Sequence, residues 1–268
     1  MTVRARGRSE GSAPLAPDEF IAELWEYAHD VEMEQHPWFA GIIQRRWTRE
    51  QIILGEIQHY LRVRTNTLFF GYMMINAAAA NQYDVLDVVL DNVREEIMGE
   101  RSHADVMFQF LEEAGISREE ADRAEPTPGT MAAIEMIVGG CQRRSALEGM
   151  AIVSFAESQH GGPDGVAAKV YRELTGYYGF SARAAETYQL HAVEDVGHGS
   201  SQIEAIRRYA TDLETQERVR RAVQLGVTAF TLEWDGHVQA ITGRREFWSG
   251  TRPLRLRQPE VRLPEERR

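Results

Sequence analysis

From Pro17 to about residue 241, apolar residues recur at steps of three and four, and alternation with a period of two is almost absent. A half-buried strand needs the second pattern and an amphipathic helix the first. The chain is therefore expected to be all-α, a multi-helix bundle in a single domain. Helices are predicted at about 17–34 and 37–46, followed by a long one over 49–79 that opens with a capping box of Thr48 and Gln51. Another is predicted over 83–114, stopped by Gly115, and a short connector begins at a second box, Ser117 with Glu120. After the break at "EPTPG" come two helices within 130–159, or one rod kinked at Gly139–Gly140. The last three are expected at 163–177, from a Ser181 cap to 209, and over 213–241. There are too many for a minimal four-helix bundle, but their lengths suit bundle-like packing.

The ends read differently. Residues 1–16 are small, polar and Arg-rich and are expected to be a flexible arm. Residues 251–268 carry three prolines and many charges and are expected to be a tail. Residues 17–250 form the helical domain between them. A formal net charge of −11 argues against a general grip on nucleic acid. No apolar run approaches the ~20 residues that span a bilayer, so no membrane segment is expected. Cys141 is the single cysteine, which excludes an intrachain disulfide and suits a reducing cytoplasm.

Three segments carry chemistry. In "HAVEDVGH", His191, Asp195 and His198 fall on one narrow helix face, about 40° and 20° from whole turns, while Glu194 points to the other side. In "EEIMGERSH", Glu96 and His103 are seven apart with Glu100 between them, and the same face continues as Val89, Val93, Met107 and Phe110. In "IVSFAESQH", Glu157 stands alone in apolar surroundings. A buried ionised carboxylate is costly unless paired or bound to metal. Each segment alone has an ordinary reading: a salt-bridged face with Arg94 and Arg101, Glu157 paired with Arg143 or Arg144, hydrogen-bonded core histidines. Together, three carboxylates and three imidazoles from three helices suit two divalent cations, with Glu96, His103, Glu157, His191, Asp195 and His198 as metal ligands.

These residues resemble the haem-oxygenase-like diiron oxidases, which share their fold with thiaminase-type and pyrroloquinoline-quinone-synthase proteins. The resemblance spans about residues 20–240, and "HPWFAGIIQRRWTREQIILGEIQHYL" is similar to the opening helices of that superfamily. The H-x3-D-x2-H pattern of His191, Asp195 and His198 matches the one its diiron members carry on a late helix. The resemblance implies two Fe2+ ions, dioxygen as co-substrate, a peroxo-diferric intermediate and an external electron donor such as a reductase. It leaves Glu100 as an alternative or supplement to Glu96, and Glu56 as a further acid on the preceding helix. Family reactions include oxidation of an amine nitrogen, C–C cleavage of fatty or amino acids, and conversion of a protein tyrosine into an arylamine. Tyrosine-consuming members place a tyrosine before the middle Glu, where this chain has Ala156. N-oxygenation of a small amine or arylamine is the expected reaction, with C–C cleavage the alternative. Substrate contacts are expected from Tyr60 and Arg64, the latter holding a carboxylate; Phe155, Gln159 and Tyr188 are further candidates. A homodimer is implied by the family alone. Two rival readings use no metal: a thiaminase-like enzyme with Cys141 as nucleophile beside Arg143 and Arg144, and a helical binding protein.

Overall fold

The computed structural model describes residues 13–159 and 161–252, and for residues 193–200 it describes the helix but not the side chains. Among these residues are twelve α-helices, one 3-10 turn and no strand. In chain order they are α1 (Pro17–Ala28), the turn Met33–Gln35, α2 (Pro37–Ile43), α3 (Arg49–Val63), α4 (Asn66–Ala79), α5 (Tyr83–Glu96) and α6 (His103–Glu113). There follow α7 (Arg118–Arg123), α8 (Pro128–Arg143), α9 (Ala146–Glu157), α10 (Val166–Gly176), α11 (Glu186–Tyr209) and α12 (Leu213–Thr242).

Both expected capping boxes form, with each Ser or Thr side chain accepting from the backbone three residues on. Gly115 adopts φ +82°, which ends α6 as a left-handed residue does. The first helix ends at Ala28 and not near residue 34, and four further differences from expectation each have a local cause. The single rod over 49–79 is two helices, because the Thr65 hydroxyl and N–H both donate to the Arg62 carbonyl, at 2.7 and 2.9 Å, and close α3 in a tight turn. The rod over 83–114 is also two, because Ser102 caps a new helix by accepting from Asp105 N. Helices α8 and α9 meet at Arg144–Ser145 and not at the double glycine, since Ser145 and Glu148 make a third capping box. Ser181 caps only a short turn, through Ala184 N, and α11 begins at Glu186.

Every residue of α9 from Ala146 to Ala156 is buried, so α9 is the central rod. The long α12 lies against it and against α8 and α3. The approach of α12 to α9 depends on Gly226, where a Cβ would stand 1.9 Å from the Ile152 carbonyl oxygen. One apolar cluster runs from Phe20 on α1 to Trp234 on α12. The chain on either side of the domain is tied to it. Leu15 exchanges backbone hydrogen bonds with the Gln216 amide, at 2.8 and 2.9 Å, so the last part of the expected arm is anchored. Trp248 N donates to Asp235 Oδ1 at 2.9 Å. Residues 1–12 and 253–268, most of the expected arm and tail, lie outside the described residues. No described helix is long and apolar enough to cross a membrane.

Candidate metal and substrate site

One internal cavity is walled by α2, α3, the start of α4, α5, α6, α9, α11 and α12, and it receives Glu96, His103, Glu157 and His191. The clear space among its side chains is close to that of one water molecule. Glu96 is the last residue of α5 and His103 the first of α6, so the Ser102-capped break folds them toward each other. His103 Nδ1 lies 2.7 Å from Glu96 Oε2, its Nε2 lies 3.2 Å from Thr187 Oγ1, and its ring centroid is 4.7 Å from that of His191. Glu157 closes the wall from the end of α9. Burial opposes the imidazolium of His103, but the charge and hydrogen bond of Glu96 outweigh it and raise its pKa. Burial, then the nearby Glu96 charge, pushes the Glu157 carboxyl up to about 7, against the pull of Arg62 and His103.

Asp195 and His198 lie on α11, the helix that carries His191, but their side chains are outside the described residues. Among the described residues, no three His, Cys, Asp or Glu side chains are drawn together closely enough to hold a metal ion. Glu100 is exposed and is not among the cavity walls. Glu56 is fully buried on α3; it accepts from the Tyr188 hydroxyl at 2.5 Å and lies 3.0 Å from His59 Nδ1.

Two expected substrate contacts point elsewhere. The Tyr60 hydroxyl donates to Asp122 Oδ1 at 2.7 Å, and Arg64 Nη1 donates to the same oxygen at 3.1 Å. Both side chains therefore serve the α3–α7 contact and neither lines the cavity. Phe155 packs edge-on against Trp25, and Gln159 donates to the Ala28 carbonyl. Tyr188, by contrast, does line the cavity. Cys141 is fully buried, and burial pushes its thiol up to about 12, which removes the thiolate that a nucleophile needs.

The cavity also holds groups that sequence reasoning passed over. Arg62 Nε donates to Glu233 Oε2 at 2.9 Å and its Nη1 to Asn66 Oδ1 at 3.0 Å, forming a buried ion pair between α3 and α12. Burial disfavours the guanidinium, yet Glu233 and Glu157, with a smaller contribution from Glu96, hold its pKa up. His59 and His237 line the same wall. The available signal was Glu233 and His237, four apart in "FTLEWDGHVQA", interrupting an apolar stripe as Glu96 does on α5.

Residues 57–231 match the family described as iron-containing redox enzymes. The chain belongs to that family. This iron-containing redox enzyme is 26% identical over 210 residues to a 4-aminobenzoate synthase from Chlamydia muridarum, a match covering 76% of this chain and 86% of that one. Among solved structures, it is similar to a domain of unknown function with a haem-oxygenase-like fold from Shewanella denitrificans, with a TM-score of 0.64 and 15% identity over 87% of this chain and 96% of that one. A TenA homologue from Pseudomonas syringae pv. tomato gives a TM-score of 0.66 and 16% identity over 89% and 100%. The fold is therefore all-α and haem-oxygenase-like.

The donor set fits iron. Imidazole and carboxylate are iron's usual nitrogen and oxygen ligands. The Glu96 charge raises the cost of ionising Glu157, and a cation placed between the two carboxylates eases it. Glu96 Oε2 is held by His103 Nδ1, so the carboxylate and the imidazole are already oriented toward each other in the cavity.

Proposed function

We propose that this chain is a dioxygen-activating diiron oxygenase that transfers oxygen to the nitrogen of a small amine or arylamine. The observation that carries the reading is the meeting of Glu96, His103, Glu157 and His191, from α5, α6, α9 and α11, on one enclosed cavity. With Asp195 and His198 they are the residues that would hold the two irons. Iron bound there supplies the site that binds and reduces dioxygen, with an external donor returning the electrons. The rest belongs to the chain. As ligands, Glu157 would be ionised and His103 neutral, so both would give up a proton that the metal-free site favours. Arg62, fixed by Glu233 and Asn66, keeps a positive charge beside this acidic wall. The aromatic rings of Trp38, Phe39, Phe230 and Trp234 exclude bulk water from the far wall. The relative from Chlamydia is named for an arylamine product, which supports an arylamine on one side of the reaction.

The test is iron content followed by turnover. Protein reconstituted anaerobically with Fe2+ is expected to retain about two irons per chain by elemental analysis. It is then expected to consume oxygen with an arylamine and a reductant, giving a product heavier by oxygen on nitrogen. Protein that retains no iron, or iron-loaded protein that yields truncated carbon products, refutes it.

A further inference from the structure

At the α12 end of the cavity, one side chain is not used by this scheme. His237 is 2% exposed, yet neither ring nitrogen has a hydrogen-bond partner. Its ring meets Trp38 edge-on at 4.9 Å and 86°. The buried indole N–H of Trp38 is directed at the Tyr188 hydroxyl, which leaves the His237 imidazole as the unmet group on this wall. Glu233 Oε1 stands 3.9 Å from His237 Nε2, beyond a hydrogen bond, and the other carboxylate oxygen is held by Arg62. Buried polar atoms left unmet carry their full desolvation cost. A phenylalanine at this position would fill the same aromatic surroundings without that cost. His237 and the Trp38 ring border the cavity, and the unmet imidazole there suits a partner that arrives from outside the chain.

We propose that His237 and Trp38 form a recognition subsite for an uncharged hydroxyl or amino group on an aromatic substrate. The proposal rests on the arylamine reading and narrows it. Neutral imidazole offers one donor and one acceptor, and the Trp38 ring offers an apolar wall for an aromatic substrate. Burial, together with the neighbouring His59, His36 and Arg62, keeps His237 in that neutral form. A hydroxyl or amino group can accept from the imidazole N–H or donate to the other ring nitrogen. A methyl group does neither. A carboxylate brings no proton, and it brings a second negative charge to a wall where Arg62 already neutralises Glu233. Size points the same way. The free room of the cavity matches a single heavy atom with its hydrogens.

The experiment uses the full chain, metal-free and iron-loaded, titrated calorimetrically with phenol, aniline, toluene and benzoate. Phenol and aniline are expected to bind about tenfold tighter than toluene, the effect of one recovered buried hydrogen bond, with benzoate weaker than phenol. His237→Phe is expected to bring phenol down to the toluene level with iron content unchanged, and His237→Gln to keep part of the preference. If His237→Phe does not fold, the wild-type series and His237→Gln decide. Equal binding of phenol and toluene, no binding of any probe, tightest binding of benzoate, or a preference that survives in His237→Phe overturns the proposal. The metal-free arm separates the two readings. A chain that prefers phenol through His237 but retains no iron sinks the diiron reading alone, and a chain that retains iron without the preference sinks the subsite alone.

Discussion

Replacing Glu157 by glutamine removes a charge that the metal-free fold resists. The carboxyl has its pKa pushed up from 4.5 to about 7, chiefly by burial and then by Glu96. A group whose folded-state pKa is raised gives its full stability below the unfolded pKa and loses it as pH climbs through the folded value. For Glu157 the loss runs from about pH 4.5 to a little above 7. Each tenfold change in proton affinity is worth about 1.4 kcal/mol, so the metal-free protein forfeits on the order of 3 kcal/mol across this window. That figure is a ceiling, because Glu157 borders a cavity and is not sealed in packed core. Glutamine has the shape of the protonated acid and does not titrate. The comparison is urea unfolding of chelator-treated protein, wild type against Glu157→Gln, at pH 5 and pH 8. The two proteins should be nearly equal at pH 5, with the variant more stable by up to ~3 kcal/mol at pH 8. Added Fe2+ should then stabilise wild type at pH 8 and leave the variant unmoved. A difference between the proteins that is the same at both pH values refutes the reasoning, because the ionised carboxylate would then carry no special cost.

Gly226→Ala places a methyl 1.9 Å from a backbone oxygen of α9 and should cost ~2 kcal/mol or more in urea unfolding, despite alanine's better helix propensity. Cys141 should resist iodoacetamide at pH 8 in the folded protein, since roughly one thiol in ten thousand is ionised at a pKa near 12, and should react only as fast as the chain unfolds. Rapid labelling without unfolding would contradict its burial. Tyr60→Phe and Arg64→Ala should leave iron content and KM for an arylamine unchanged, because both side chains face Asp122; a several-fold rise in KM for either would return them to the substrate site. Arg62→Met should cost ~3–5 kcal/mol by stranding the buried Glu233 carboxylate, and Arg62→Met with Glu233→Leu should recover much of that loss, read by thermal or urea unfolding.

Helix was legible wherever the signal is local. The period of the apolar residues and the boxes at Thr48 and Ser117 are properties of a few consecutive residues, and the structure has helices where they place them. The breaks inside the two longest predicted rods were less legible, because a serine or threonine in helical sequence reads as a surface residue until its hydroxyl is seen bonding the backbone. Ser102 makes the point. Glu96 and His103 were paired by counting seven residues along one helix, yet they meet because that helix ends between them and restarts.

Helix α3 shows why the candidate ligands were easier to find than the rest of the cavity wall. It carries two polar faces that are nearly equivalent in sequence. One holds Tyr60 and Arg64, four apart. The other holds Glu56, His59 and Arg62 at three-residue steps and continues to Asn66 across the break. Each offers a ring and an arginine, Tyr60 is itself buried, and periodicity gives no ground for choosing which face lines the cavity. The choice is made by partners far along the chain: Asp122 on α7 takes the first face, while Glu233 on α12 and Tyr188 on α11 take the second. Glu56, His59, Arg62 and Asn66 are all buried as a result. A face that draws its hydrogen bonds from residues more than a hundred positions away leaves no periodic trace of that pairing on its own helix. Glu96, His103 and Glu157 were different, because each interrupts the apolar face of the segment that carries it.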